Sequence, residues 1–209
     1  MQAKQFWDKM AGKYDKKSLR KYQKAYEDTI EISRKYLRSH DRMLDFACGT
    51  GITTIALAPS VQHVTAIDIS GEMIRLAKDK ATVNGIDNIT FKATTIRDKD
   101  LENGSFDVIT AFNVLHGLED VNGSLNRIWE LLRAGGIFLS VTDCLGEKRT
   151  MQSILYAVLS RMGVIPKINP FKRIDLVNMI TSRGFTVIEE ENLYASPPNC
   201  YLAARKTGS

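Results

Sequence analysis

Long apolar runs are missing from this sequence. Nowhere do the roughly eighteen apolar residues needed for a membrane-spanning helix follow one another. A composition of 44% apolar and 25% charged residues reads as a globular chain rather than a disordered one. The opening Met-Gln-Ala-Lys-Gln-Phe-Trp is too polar for a signal peptide, so a soluble, cytoplasmic protein is expected. Cysteine is scarce: Cys48, Cys144 and Cys200 are odd in number, widely spaced and form no Cys-x-x-Cys. That pattern suggests neither a disulfide framework nor a zinc site, and no bound metal is expected. Repeats and low-complexity segments are also lacking.

Acidic residues are in the minority, but only locally. The net charge is +5, and the first 42 residues hold twelve Lys or Arg against six Asp or Glu, while the remainder holds 17 against 18. The basic character therefore belongs to the N-terminal segment. It suits an anionic substrate, a membrane surface, nucleic acid, or simply a solvated helical face.

What is present is a regular alternation of patterns. Residues 2–37 carry Phe6, Met10, Tyr14, Tyr22, Tyr26, Ile30 and Leu37 at helical spacings, predicting two helices with a break at 12–18. Strand patterns follow at 43–47, 61–67, 88–94, 106–112 and 137–141. They are separated by helical patterns at 51–57, 70–84 and 121–133. Such alternation predicts an α/β fold with a parallel, doubly wound sheet. The style then changes: helices at 150–162 and 174–182 precede strands at 185–191 and 200–206, joined through Ser196-Pro197-Pro198-Asn199 as an antiparallel pair.

The stretch Leu44-Asp45-Phe46-Ala47-Cys48-Gly49-Thr50-Gly51 is the most informative. A buried strand runs into a glycine turn and a helix, so a ligand can lie against the main chain at Gly49 and Gly51. Asp45 inside an apolar strand is costly to bury without a cation or a donor. Asp68 stands at the end of the next strand pattern.

These residues, with Phe106-Asp107-Val108-Ile109 and Leu132-Arg133-Ala134-Gly135-Gly136, resemble in order and spacing the motifs of class I S-adenosylmethionine-dependent methyltransferases. The likeness extends over about residues 40–205. The opening Phe6-Trp7-Asp8-Lys9-Met10-Ala11-Gly12-Lys13-Tyr14-Asp15 is similar to the leader of the small-molecule branch that includes ubiquinone and menaquinone biosynthesis methyltransferases.

The resemblance implies a Rossmann-like sheet of strand order 3-2-1-4-5-7-6 with strand 7 antiparallel, in one methyltransferase domain over 1–209. Within it, 1–40 would form a helical lid, 41–142 the cofactor-binding core, and 143–209 lid helices and closing strands. S-adenosyl-L-methionine would be the cofactor. Its ammonium would sit near Asp45, its amino-acid part and ribose near Ala47, Cys48, Gly49 and Gly51, and its ribose hydroxyls on Asp68. Ile69 and Met73 would flank the adenine. Where the family often has Asp and a small residue, this chain has Thr94-Thr95-Ile96, so Thr95 and the Ile96 amide are left to meet the ring. Asn113 would lie near the amino-acid end of the cofactor.

His116 is the candidate general base and, with Trp7 and Tyr14, a candidate substrate contact; neutral imidazole takes a proton near pH 7. The acceptor would be a small, partly hydrophobic molecule held by Phe6, Trp7, Met10, Tyr14, the loop after Asn113 and the helix at 150–165. The chain would work as a monomer or homodimer, without stable nucleic acid and with peripheral membrane contact open to it.

Three other readings compete. A nicotinamide dehydrogenase shares Gly49-Thr50-Gly51 and Asp68, but Thr54 stands where its third glycine belongs. An RNA methyltransferase would use the basic N-terminal segment, yet no Pro-Pro-aromatic or Pro-Cys signature is present. A non-catalytic S-adenosylmethionine-binding protein would account for Thr95 in place of an acid.

Overall fold

Strand β1, Arg42–Phe46, lies at the middle of a seven-stranded sheet because four of its five side chains are buried, with helices on both faces. In the computed structural model, which describes residues 2–148, 151–195 and 198–208, β1 pairs in parallel with β2, His63–Asp68, on one side. On the other it pairs in parallel with β4, Phe106–Phe112. Strand β3, Ile89–Ala93, adds outside β2, and β5, Leu132–Asp143, outside β4. Strand β7, Pro198–Lys206, runs antiparallel between β5 and β6, Phe185–Ala195. The order is β3-β2-β1-β4-β5-β7-β6, as the sequence motifs imply.

Parallel neighbours cannot be joined by a hairpin, and helices make the crossovers. They are α2, Ile52–Leu57, between β1 and β2; α3, Gly71–Val83, between β2 and β3; and α4, Val121–Leu131, between β4 and β5. The strand alternation sends Leu44, Ile109 and Phe138 into one apolar layer with Leu125 and Ile128 of α4. Met43, Val108 and Leu139 enter the other, under Ile30 and Ile32 of the N-terminal helix. Each fully buried Leu or Ile contributes about 1.5–3 kcal/mol. The strand order reverses between β1 and β4, which opens a crevice at the carboxyl ends of these strands.

Several boundaries differ from expectation. The N-terminal segment is one kinked element, α1, Ala3–Arg34, and the break is at Tyr22 (φ −126°, ψ 19°), not at 12–18. Gly12 stays helical: a single helical glycine costs about 1 kcal/mol, less than the surrounding helix and its packing supply. At the kink the Tyr22 ring stacks on Tyr194, with centroids 5.0 Å apart. Strand β5 starts at Leu132, so the residues expected to close α4 are already in the sheet. Lys206 Nζ donates to the carbonyls of Trp129 and Leu132, both at 2.7 Å, and so satisfies the end of α4.

Strands β6 and β7 are longer than their side-chain pattern suggests, because each supplies the other's ladder partners. Helices α5, Met151–Arg161, and α6, Arg173–Thr181, match their patterns. Thr150, Ser196 and Pro197, and the side chains of Gln152 and Ala157, lie outside what the structure describes. The three cysteines are free and buried. Among the described residues no helix is long and apolar enough to cross a membrane.

Candidate active site

After β1 the chain turns through two left-handed positions, Ala47 (φ 61°) and Gly49 (φ 55°), before Gly51 (φ 79°) opens α2. A non-glycine residue held there costs about 1–2 kcal/mol, and Ala47 bears that strain at the mouth of the crevice. The two glycines serve different ends. A Cβ on Gly51 would come within 3.1 Å of Ala77 Cβ and 3.3 Å of Ile55 Cδ1, so its missing side chain lets α3 pack close. A Cβ on Gly49 would meet nothing within 4 Å, which leaves open space against the main chain.

Two carboxylates flank this turn. Asp45 is 2% exposed and accepts from Thr54 Oγ1 at 2.5 Å and Thr110 Oγ1 at 2.7 Å. Asp68 accepts from the Gly49 N–H at 3.0 Å and the Ser70 N–H at 2.8 Å. All four of these donors are neutral. Burial pushes both carboxyls above the usual carboxylate range, and for Asp45 the charge of Asp68 adds to the push. The site is thus short of positive charge.

The four residues expected at the adenine differ in exposure. Ile69 is half-buried and Thr95 is exposed, its Oγ1 accepting from the Arg97 N–H at 3.3 Å. Met73 and Ile96 are buried, and the Ile96 side chain belongs to the apolar core with Phe46 and Ile67. The Cys48 side chain is likewise buried, and its N–H donates to the Ile67 carbonyl at 3.0 Å.

Helix α1 is tied across the turn by two acids two helical turns apart, on one of its faces. Asp8 accepts from Ser70 Oγ at 2.6 Å, and that hydroxyl, with Lys4, holds Asp8 below the usual range. Asp15 accepts from Thr50 Oγ1 at 2.5 Å and pairs with Lys80 at 2.6 Å.

Between α1, the β4–α4 loop and the segment after α5 lies a cavity of about 340 Å³, lined by Trp7, Met10 and Tyr14, with Tyr26, Tyr156 and Tyr194. Its polar end is made by Asn113, His116, Asp143 and Asn199. Asn113 is in the left-handed region (φ 56°), held by its N–H to the Val141 carbonyl at 2.7 Å. Asp143 Oδ1 accepts from Tyr194 Oη and Asn199 Nδ2, both at 2.7 Å. His116 Nδ1 is buried without a hydrogen-bond partner among the described residues. Burial lowers the His116 pKa, against the pull of Asp143, so the imidazole is neutral at pH 7.

Of the residues picked out in the sequence, Trp7, Tyr14, Asn113 and His116 meet in this cavity, while Asp45, Gly49 and Asp68 meet at the glycine turn. Sequence reasoning missed Thr54 and Thr110, the donors to Asp45, and Asp143, Tyr194 and Asn199. Asp8 and Asp15 stood inside the leader motif, but nothing in it signals that they tie α1 down. No group of three or more His, Cys, Asp or Glu among the described residues could hold a metal ion.

Residues 37–162 match the model of a methyltransferase domain family, over more than half of the chain. The chain belongs to this methyltransferase family. Over 112 residues it is 32% identical to the uncharacterized methyltransferase YcgJ of Bacillus subtilis, covering 54% of this chain and 44% of that protein. Over 124 residues it is 33% identical to a ubiquinone biosynthesis O-methyltransferase of Methylocella silvestris, covering 59% of this chain and 46% of that protein. The chain thus spans a little under half the length of these relatives. A solved complex of the Haloferax volcanii Trm112 methyltransferase activator with a putative methyltransferase has the same fold. Its TM-score is 0.80 at 14% identity, over 97% of this chain and 98% of that one.

Proposed function

We propose that this methyltransferase uses S-adenosyl-L-methionine to methylate a small, partly hydrophobic organic acceptor. The observation that carries the reading is the pair of buried carboxylates, Asp45 and Asp68, set in neutral donors on either side of a glycine turn with open space above Gly49. An ammonium beside Asp45 supplies the missing positive charge, and ribose hydroxyls suit the remaining acceptor capacity of Asp68. Residues 47–51 would face the amino-acid part and the ribose, and Ile69 and Thr95 the adenine. A nicotinamide cofactor would bring no such cation to Asp45. When bound, S-adenosylmethionine supplies a methyl group already activated on a sulfonium.

The chain's own work is therefore alignment, exclusion of water and removal of one proton. Trp7, Tyr14 and the tyrosines of the cavity wall enclose the acceptor body. The neutral imidazole of His116, in the cavity wall, is the group to take the proton from an acceptor hydroxyl or ammonium. Asp143, fixed by Tyr194 and Asn199, holds a donor group of the acceptor and sets its orientation. The likeness to a ubiquinone biosynthesis O-methyltransferase supports a hydroxyl as the methylated group. Residues 1–40 and 143–209 would form the acceptor side and 41–142 the cofactor side of one working unit.

Incubating the protein with S-adenosylmethionine and a panel of phenols, enols and amines tests this. S-adenosylhomocysteine should form with a hydroxylated aromatic or polyene acceptor. Tight cofactor binding with no product across the panel would instead favour a binding protein without chemistry.

A further inference from the structure

Helix α5 is inside out. An amphipathic helix on a globular protein turns its apolar stripe to the core. Here Met151, Ile154, Leu155, Val158 and Met162 fall at i, i+3, i+4, i+7 and i+11, one narrow face, and that face is in solvent. With Val164 just beyond the helix, these side chains are 46% to 84% exposed. The opposite face carries the polar groups: Tyr156 lines the cavity, and Ser160 Oγ accepts from the Ile168 N–H at 3.2 Å. A contiguous apolar face of this kind, left in water, marks a docking surface.

Charge says what docks there. From Glu147 to Arg173 the sequence has six Lys or Arg and a single acid, Glu147. Lys148, Arg161, Lys167 and Lys172 are exposed. Lys17 and Lys21 of α1, from the basic N-terminal segment, line the same cavity as Tyr156 and Lys167. An apolar stripe among cations is the pattern of a helix lying in the headgroup boundary of an anionic bilayer, with the cations on lipid phosphates and the stripe among acyl chains. A second copy of this chain would bring the same cations against themselves, and an apolar protein groove would offer them no anion.

We propose that α5 docks the protein on an anionic membrane surface. Because the other side of α5 forms the cavity wall, docking would open the cavity toward the bilayer and admit an acceptor dissolved there; this last step rests on the reading of the cavity as the acceptor site.

Co-sedimentation with phosphatidylcholine vesicles, and with vesicles of phosphatidylcholine and phosphatidylglycerol in equal parts, tests the docking without any methyl transfer. The protein should bind the anionic vesicles at least about tenfold more tightly than the neutral ones, and less tightly as salt rises. A Leu155→Asp/Val158→Asp double variant should lose about tenfold or more of that binding while keeping the wild-type thermal stabilisation by S-adenosylhomocysteine. Three results would overturn the proposal: no binding to either vesicle, undiminished binding by the double variant, or a dimer in solution that the double variant splits without any vesicle binding. Vesicle binding in a protein that methylates nothing would leave the docking standing and remove only the acceptor reading.

Discussion

Asp45 holds a charge that the folded chain does not fully answer. Its carboxyl is raised above the unfolded value of about 3.9 by burial. Between the unfolded and folded pKa values the native state therefore binds more protons than the unfolded state, and stability falls as pH rises through that interval. The penalty grows as pH rises above the unfolded value and is complete only once pH exceeds the folded one. Replacing Asp45 by Asn removes the charge and leaves a group that still pairs with Thr54 and Thr110. The ligand-free Asp45→Asn variant should be more stable than wild type by about 1 kcal/mol at pH 7, the gap closing below about pH 4. Its cofactor affinity should fall about tenfold. Thermal melts across pH check this, and a lower ligand-free melting temperature in the variant at pH 7 would contradict it.

Asp68→Ala should weaken S-adenosylhomocysteine binding by about 1–3 kcal/mol, the range for hydrogen bonds to a charged group. Calorimetry reads it directly, and unchanged affinity would remove Asp68 from the site. His116 is pulled below its ordinary 6.5 by burial. The turnover rate should accordingly stay level above neutrality and decline only as pH drops below that lowered value. His116→Gln should lose about 10²- to 10⁴-fold in kcat with cofactor affinity unchanged. A pH profile that His116→Gln leaves in place would assign the proton transfer elsewhere.

At the scale of elements, α1 is held across the glycine turn by two acids. Asp8 and Asp15 bind α1 to Ser70, the cap of α3, to Thr50 in the glycine turn before α2, and to Lys80. Both acids are partly exposed, so each tie contributes about 1 kcal/mol at most. An Asp8→Ala/Asp15→Ala double variant should leave the sheet intact while amides of residues 3–21 exchange markedly faster, and cofactor should leave faster. Hydrogen exchange by mass spectrometry, with and without S-adenosylhomocysteine, measures it. Protection of α1 that the double variant does not reduce would mean that Trp7 and Tyr14 packing alone holds the helix.

Legibility follows the same physics. Strand β4 was readable because burial on both faces leaves a continuous apolar run, β2 because its apolar residues alternate up to Asp68, and Ser70 was readable as the cap of α3, where its Oγ accepts from the Met73 N–H at 3.1 Å. The kink at Tyr22 was not, since its ring partner Tyr194 is far away in sequence. The early start of β5 comes from Leu132 pairing with Phe106 of β4, again a residue distant in sequence. At the site, the glycine turn and its two acids were plain, whereas Thr110, Asp143 and Asn199 became site residues only through strand pairing. Ala47 and Asn113 hide their left-handed backbone because neither is glycine.

For the whole molecule, α1 is the shared part: it ties to the glycine turn through Asp8 and Asp15 and lines the cavity with Trp7, Met10 and Tyr14, while the apolar stripe of α5 lies on the outer side of that cavity's wall. Ligand binding should couple to global stability. At about 100 times its Kd, S-adenosylhomocysteine stabilises the folded state by about 2.7 kcal/mol, which for a chain of this size raises the melting temperature by about 5–10 °C. NADH should give no such shift. Mixed RNA should bind no better than salt-sensitive surface attraction allows.

The most direct test is a crystal structure with S-adenosylhomocysteine at saturating concentration. The account predicts the ligand across Gly49, its ammonium answered by Asp45 directly or through one water and its ribose hydroxyls by Asp68, with the sulfur facing the cavity at His116. Clear density for the ligand elsewhere, or a crevice without it, would contradict the account.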